Sequence, residues 1–178
     1  MRLFIAINLN NDNKDNILKI INELRKQSVR GNFTTRPNLH LTVVFIGEIE
    51  DSREGDIINA INSITVLPFH ITISGLGRFK GRDNGDLYWL GISENKSLNI
   101  LYKQLFNALI DFGFEIESRE FKPHLTIGRN VITNSTVIDR LKENLPLFTN
   151  VVKSIDLMKS ERINGILTYT KLYSKTLE

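Results

Sequence analysis

Cysteine is absent from the 178 residues. That excludes disulfides, thiolate nucleophiles and cysteine-ligated metals together. Long apolar runs are missing too, none reaching 18 residues, so no membrane-spanning helix is expected. The opening Met1-Arg2-Leu3-Phe4-Ile5-Ala6-Ile7-Asn8 has too short an apolar stretch for a secretory leader, with no cleavage site behind it. It reads as a first strand, and cytoplasm is the expected location. No linker rich in Pro, Gly or Ser divides the chain, which points to a single unit over residues 1–178. Neither sign of charge dominates: 23 Lys and Arg face 20 Asp and Glu, a net charge of +3. Such a balance tolerates a polyanionic partner without arguing for one. A monomer with no membrane contact is expected.

Several motifs are also missing. There is no Gly-x-x-x-x-Gly-Lys phosphate loop, so ATP-dependent ligation has no support. There is no Gly-x-Ser-x-Gly elbow for a serine nucleophile. No His-x-His or Glu-x-x-His spacing offers the third protein ligand a zinc site requires. No metal and no cofactor are expected. The Gly75-Leu76-Gly77 pair reads as a strand bend rather than a nucleotide loop.

What is present is an ordinary globular composition, 41% apolar and 24% charged. Strand-like runs rich in Val, Ile, Phe, Thr and Tyr cover residues 2–8, 39–47, 69–77, 87–92, 124–128, 151–158 and 166–173. Helical spacing marks residues 14–27, 52–64, 97–112 and, more weakly, 137–144. Ser52 is the expected N-cap of the second helix, and Gly113 sits where the third should stop. Asn84-Gly85 suits a tight hairpin turn. The pattern predicts an α+β fold.

Only three histidines occur, and each precedes a threonine by two residues: His40-Leu41-Thr42, His70-Ile71-Thr72 and His124-Leu125-Thr126. With 12 threonines in the chain, each coincidence has a chance of roughly one in fifteen on composition alone. On a strand, residues i and i+2 share a face, so each imidazole stands beside its own hydroxyl. Two such strands across a cleft offer two imidazoles and two hydroxyls to one phosphate. One imidazole can take a proton from water while the other protonates a leaving ribose oxygen. His40 and His124 share an identical tripeptide, and Gly128-Arg129 follows the second, so spacing favours that pair over His70. Arg129 lies an odd number of residues from His124. It reaches a phosphate only if the strand bulges near Gly128. The aromatics Phe45, Tyr88, Trp89 and Tyr173 can stack on bases, although core packing is their commoner role.

These residues resemble the 2H phosphoesterase superfamily, and within it the RNA 2′,3′-cyclic phosphodiesterases, also called 2′-5′ RNA ligases. The likeness runs through Arg2-Leu3-Phe4-Ile5-Ala6-Ile7, through Asn38 to Glu48 around the first His-Leu-Thr, through Phe69 to Phe79 and then Tyr88-Trp89-Leu90-Gly91, and through Phe121 to Arg129 around the second. The resemblance implies a two-lobed, pseudo-twofold fold with antiparallel sheets facing across a central cleft and helices outside. It implies His40 as proton donor to the leaving 3′ oxygen, His124 as base toward water, and Thr42, Thr126 and Arg129 on the phosphate. The implied substrate is an RNA end carrying a 2′,3′-cyclic phosphate, the product a 2′-phosphate, and the reverse reaction 2′-5′ ligation. Other readings are a phosphodiesterase for 2′-5′ oligonucleotides or small cyclic nucleotides, and an RNA-binding module without turnover.

Overall fold

The computed structural model describes residues 1–81, 85–118 and 120–178. Among these residues, in chain order, are β1 (Arg2–Asn8), α1 (Asn11–Lys26), β2 (Ser28–Phe33), β3 (His40–Glu48), α2 (Glu54–Ser63), β4 (Phe69–Phe79) and β5 (Asp86–Ile92). They continue as α3 (Lys96–Asp111), β6 (His124–Thr133), α4 (Ser135–Glu143), β7 (Phe148–Val152), β8 (Ser154–Ile163) and β9 (Ile166–Thr176). The strands form two antiparallel sheets, ordered β3-β1-β8-β9 and β2-β6-β5-β4-β7.

Each sheet carries a pair of helices. The second and third helices pack together and against β9 and β3, while the first and fourth pack together and against β2, β7 and β4. The chain passes repeatedly from one half to the other, and this gives the α+β, two-lobed, pseudo-twofold arrangement. Apolar spacing makes each helix one-sided. In α1, Ile17, Ile21 and Leu24 are fully buried, three- and four-residue steps on one face. Asparagines cap three of the helices, α4 through Asn134, which accepts from the Thr136 amide at 3.0 Å. Asn10 accepts from the Asn13 amide at 2.8 Å, and Asn95 accepts from the Leu98 amide at 2.9 Å. One core runs through both halves, including Leu3, Ile5 and Ile7 of β1 and Ile71 and Ile73 of β4.

Four expectations need correction or placement. Residues 151–158 form not one strand but parts of two, because the inward face changes at Lys153. Phe148, Asn150 and Val152 point inward in one sheet, whereas Ile155 and Leu157 point inward in the other. The phase slip is where the chain crosses between sheets. Ser52 does not cap α2: a 3-10 turn, Asp51–Arg53, precedes the helix, and Arg53 at its N-cap makes no side-chain cap bond. Arg53 instead donates to Asp56 at 2.8 Å and to the Phe112 carbonyl at 2.7 Å, which ties the turn to the end of α3. β2 has no counterpart among the predicted strands, for a reason given below. The Asn84-Gly85 turn includes Asn84, which lies outside the described residues.

The strand bend at Gly75-Leu76-Gly77 holds. The register between β4 and β5 shifts between Ser74 and Leu76, the bend marked by the glycine pair. The hairpin between β8 and β9 turns at Asn164-Gly165, both with positive φ (51° and 79°), as a two-residue turn of the favoured hand requires. Gly77 is fixed by a close approach, since a Cβ there would stand 2.2 Å from the Trp89 ring. A methyl at that point must push the indole aside. Gly77→Ala is expected to cost about 1–3 kcal/mol of stability, read as a lower denaturant midpoint; an unchanged midpoint would show that Trp89 is not held there.

Candidate active site

The first and second His-Leu-Thr tripeptides open β3 and β6, and these two strands contact each other between the sheets. Both strands follow the same sequence of burial. His40 and Thr42 are half-buried, Leu41, Val43 and Val44 are buried, and Phe45 is exposed. His124 and Thr126 are half-buried, Leu125, Ile127 and Gly128 are buried, and Arg129 is exposed. Two consecutive buried residues mean a bulge, and the registers show it. Ile5 and Ala6 of β1 oppose Val44 and Thr42, skipping Val43. Tyr88 and Trp89 of β5 oppose Gly128 and Thr126, skipping Ile127. The bulge required for Arg129 to join His124 and Thr126 on one face is therefore present, and the same device turns Phe45 beside His40 and Thr42.

Each histidine is held by its own backbone. His40 Nδ1 lies 2.8 Å from the Asn38 carbonyl oxygen, and His124 Nδ1 lies 2.7 Å from that of Lys122. A carbonyl only accepts, so Nδ1 carries the proton in both rings and Nε2 is the atom left to act. His40 Nε2 stands 3.0 Å from Thr42 Oγ1, whose hydroxyl donates to it when the ring is neutral. Aromatic rings wall both imidazoles. Phe4 and Tyr169 lie with centroids 4.9 and 5.0 Å from His40. Phe79 and Trp89 lie 5.3 and 6.0 Å from His124.

A cleft of about 1130 Å³ is lined by His40, Thr42, His124, Thr126 and Arg129 together. His70 is elsewhere: it lies on β4 opposite Val151 of β7, exposed and away from the cleft. Burial pushes the His40 imidazole down to about 4 from its usual 6.5, and the Arg129, Lys14 and His124 charges push the same way against the Asn38 hydrogen bond. No group of three or more His, Cys, Asp or Glu side chains among the described residues is placed to hold a metal ion. The arrangement offers two Nε2 atoms, two hydroxyls and a guanidinium to one small anion.

Several cleft residues escaped the sequence reading. Thr34 and Thr35 follow the unpredicted β2, and Thr34 is bound to the second histidine strand twice. Its amide donates to the Ile127 carbonyl at 3.0 Å, and its hydroxyl to the Thr126 carbonyl at 2.8 Å. Tyr169, Leu167 and Arg162 come from the β8–β9 hairpin, which Asn38 ties down by donating to the Leu167 carbonyl at 2.9 Å. Among the aromatics singled out, Tyr88 is core, at 3% exposure, whereas Phe45 is 44% exposed at the cleft.

A model of the 2′-5′ RNA ligase superfamily matches residues 14–164. The chain belongs to that superfamily. Relatives include the RNA 2′,3′-cyclic phosphodiesterase of Thermotoga maritima, 35% identical over 131 residues, with 72% of this chain and 70% of that protein covered. The protein of the same name from Methanocaldococcus jannaschii is 30% identical over 178 residues, covering 99% of this chain and 92% of that one. Among solved structures, a protein of Thermus thermophilus superposes with a TM-score of 0.82 at 21% identity, over 99% of this chain and 98% of that one. E. coli LigT complexed with 3′-AMP superposes at 0.79 with 24% identity, over 99% and 97%. At these identities the structural likeness establishes the fold, shared along the whole chain.

The desolvated His40 has a consequence for this superfamily member's stability. Its folded pKa of about 4 lies below the unfolded 6.5, so between those values the unfolded chain binds the proton more readily. Stability contributed by neutral His40 is complete above about 6.5 and is lost as pH falls toward 4. Comparing urea unfolding of the wild type with His40→Gln checks this. The wild type should lose more stability than the variant across that window, and parallel curves would contradict a desolvated imidazole.

Proposed function

We propose that this cleft opens a 2′,3′-cyclic phosphate at an RNA end to a 2′-phosphate, using His40 and His124 without a metal or cofactor. The observation that carries the reading is the pair of Nε2 atoms on two facing strands, each with a hydroxyl two residues on, in one cleft. The relatives named RNA 2′,3′-cyclic phosphodiesterase supply the substrate class. Thr42, Thr126 and Arg129 hold the non-bridging oxygens. His124 Nε2 takes a proton from water as the water oxygen bonds to phosphorus. The bond from phosphorus to the 3′ oxygen breaks, and His40 Nε2–H supplies the proton to that oxygen. A ribose 2′-phosphate with a free 3′-hydroxyl results. A 5′-hydroxyl in place of water forms a 2′-5′ linkage by the same steps.

His40 is neutral in the free protein at neutral pH, so its donor role requires a proton gained on binding. An anionic phosphate supplies the reason: it offsets Arg129 and favours imidazolium beside it. Calorimetric titration of a nucleoside 2′-phosphate, repeated in buffers of different ionisation enthalpy at pH 8, should show net proton uptake. At that pH the phosphate monoester is already a dianion, so uptake belongs to the protein. No uptake would reverse the roles and make His40 the base, a role its Nε2 lone pair already fits.

His40→Ala and His124→Ala are each expected to lower turnover of a cyclic-phosphate RNA by about 10²–10⁴-fold, while His70→Ala retains wild-type turnover. Loss in His70→Ala with survival in His40→Ala would move the site. Unimpaired turnover in all three variants would remove two-histidine catalysis.

A further inference from the structure

The cleft is larger than its proposed chemistry needs. Small-ligand sites run to about 1,000 Å³, and this one, at about 1130 Å³, opens into a second of about 750 Å³. His40, Thr42, Phe45, Arg129 and Arg162 line both, so the phosphate site is where two arms diverge. The arms differ in charge. On one side lie Glu117 and Glu120, with Tyr102 stacked on Phe121 at 4.2 Å, and the nearby Lys122 is taken up by Glu120 at 3.1 Å. The other arm runs over the inner face of β1 and β8, where Arg2, Arg129, Lys159 and Arg162 line it together with Glu48 and Glu161. Lys159 and Glu161 pair with each other at 2.8 Å. Among the described residues Arg2, Arg129 and Arg162 are exposed and form no ion pair.

Their placement follows from the sheet. Arg2 lies opposite Ser160 in the β1–β8 register, and Arg162 is two residues beyond Ser160 on the same face. The Arg2 guanidinium rests 5.1 Å from the centre of the Phe45 ring, the exposed ring that the bulge turns toward His40. Arg162 lines the cleft, and its Nη1 donates to the Gly165 carbonyl at 2.9 Å, one of the five N–H donors of a guanidinium. Three guanidiniums that form no ion pair among the described residues line this arm together, a track for a chain of anions.

We propose that Arg162 and Arg2, continuing from Arg129, bind the phosphodiesters 5′ to the cyclic end, so that the protein selects an RNA strand end over a free cyclic nucleotide. This rests on the phosphate-site reading above. A terminal nucleotide held by its cyclic phosphate continues into RNA only through its 5′ oxygen. The next phosphates therefore leave the site in one direction, and the arm rich in guanidiniums is the one that attracts them. Phe45, stacked under Arg2, offers its ring to a base along the same path.

The test compares kcat/KM for an RNA pentamer ending in a 2′,3′-cyclic phosphate with that for a nucleoside 2′,3′-cyclic phosphate. In the wild type the pentamer is preferred by about tenfold or more, and the preference shrinks with salt. In the Arg2→Ala/Arg162→Ala double variant the ratio of the two values falls toward one. The slope of log affinity against log salt flattens by roughly 0.7 for each lost contact to a single strand. Arg162→Ala alone, on the hairpin and clear of the core strands, loses part of the preference and guards against misfolding of the double variant. A ratio unchanged in both variants overturns the track. Should the wild type turn over neither substrate, the reading of the activity fails, and the track is read by fluorescence anisotropy of a labelled pentamer ending in a 2′-phosphate. About tenfold weaker binding in the double variant supports it, and equal binding overturns it.

Discussion

A regular strand alternates its faces, so positions i and i+2 lie together while position i+5 lies on the far side. A site that needs a histidine, a hydroxyl and a third group at those positions cannot be built on such a strand. Both strands that carry the proposed site meet the constraint identically. Val43 and Ile127 are the extra residues of two matching bulges, and Phe45 and Arg129 turn into the cleft as a result. Buried Leu41, Val43 and Val44 on one strand, and Leu125 and Ile127 on the other, anchor each bulge in the core. Each of these large side chains contributes about 1.5–3 kcal/mol by burial, enough to fix the register that aims the imidazoles. The Nδ1 bond to the carbonyl two residues earlier then fixes the tautomer in both halves.

The two halves are alike in plan and unlike in environment. β3 is the edge strand of its sheet, whereas β6 is covered by β2. Covering brings Thr34 onto the backbone of the second histidine strand, which has no counterpart on the first. His40 is instead enclosed by Phe4 and Tyr169, and that burial lowers its proton affinity in the free protein. Position i+5 is apolar in one half and cationic in the other. The cleft therefore presents one guanidinium and one exposed ring beside the two histidines, a combination that suits an anion joined to a base.

How much of this was legible depended on local pattern. Six of the strands and all four helices stand near their predicted places, because apolar period alone decides them. Counting residues along a strand showed the need for a bulge before Arg129 and favoured His40 with His124 over His70, while the choice of that pair rested on the family resemblance. β2 did not, since Ser28-Val29-Arg30-Gly31-Asn32-Phe33 has no alternating apolar face and Val29 is 84% exposed. Its pairing with β6 comes from the neighbour strand, not from its own sequence. The phase slip at Lys153 was hidden because both sides of it read as strand. Tyr169, Phe79 and Arg162 were out of reach for another reason: they are brought to the histidines by pairings across sheets, which no local window contains.

On the proposed reading two imidazoles on facing strands, with Phe45 and Arg129 turned beside them by matched bulges, open a cyclic phosphate by proton transfer alone. The most direct measurement is to incubate the protein with a short RNA ending in a 2′,3′-cyclic phosphate, with EDTA present, and identify the phosphomonoester formed. Complete conversion to the 2′-phosphate is expected, at a rate unaffected by the chelator. A 3′-phosphate, or activity abolished by EDTA and restored by a divalent cation, would contradict it.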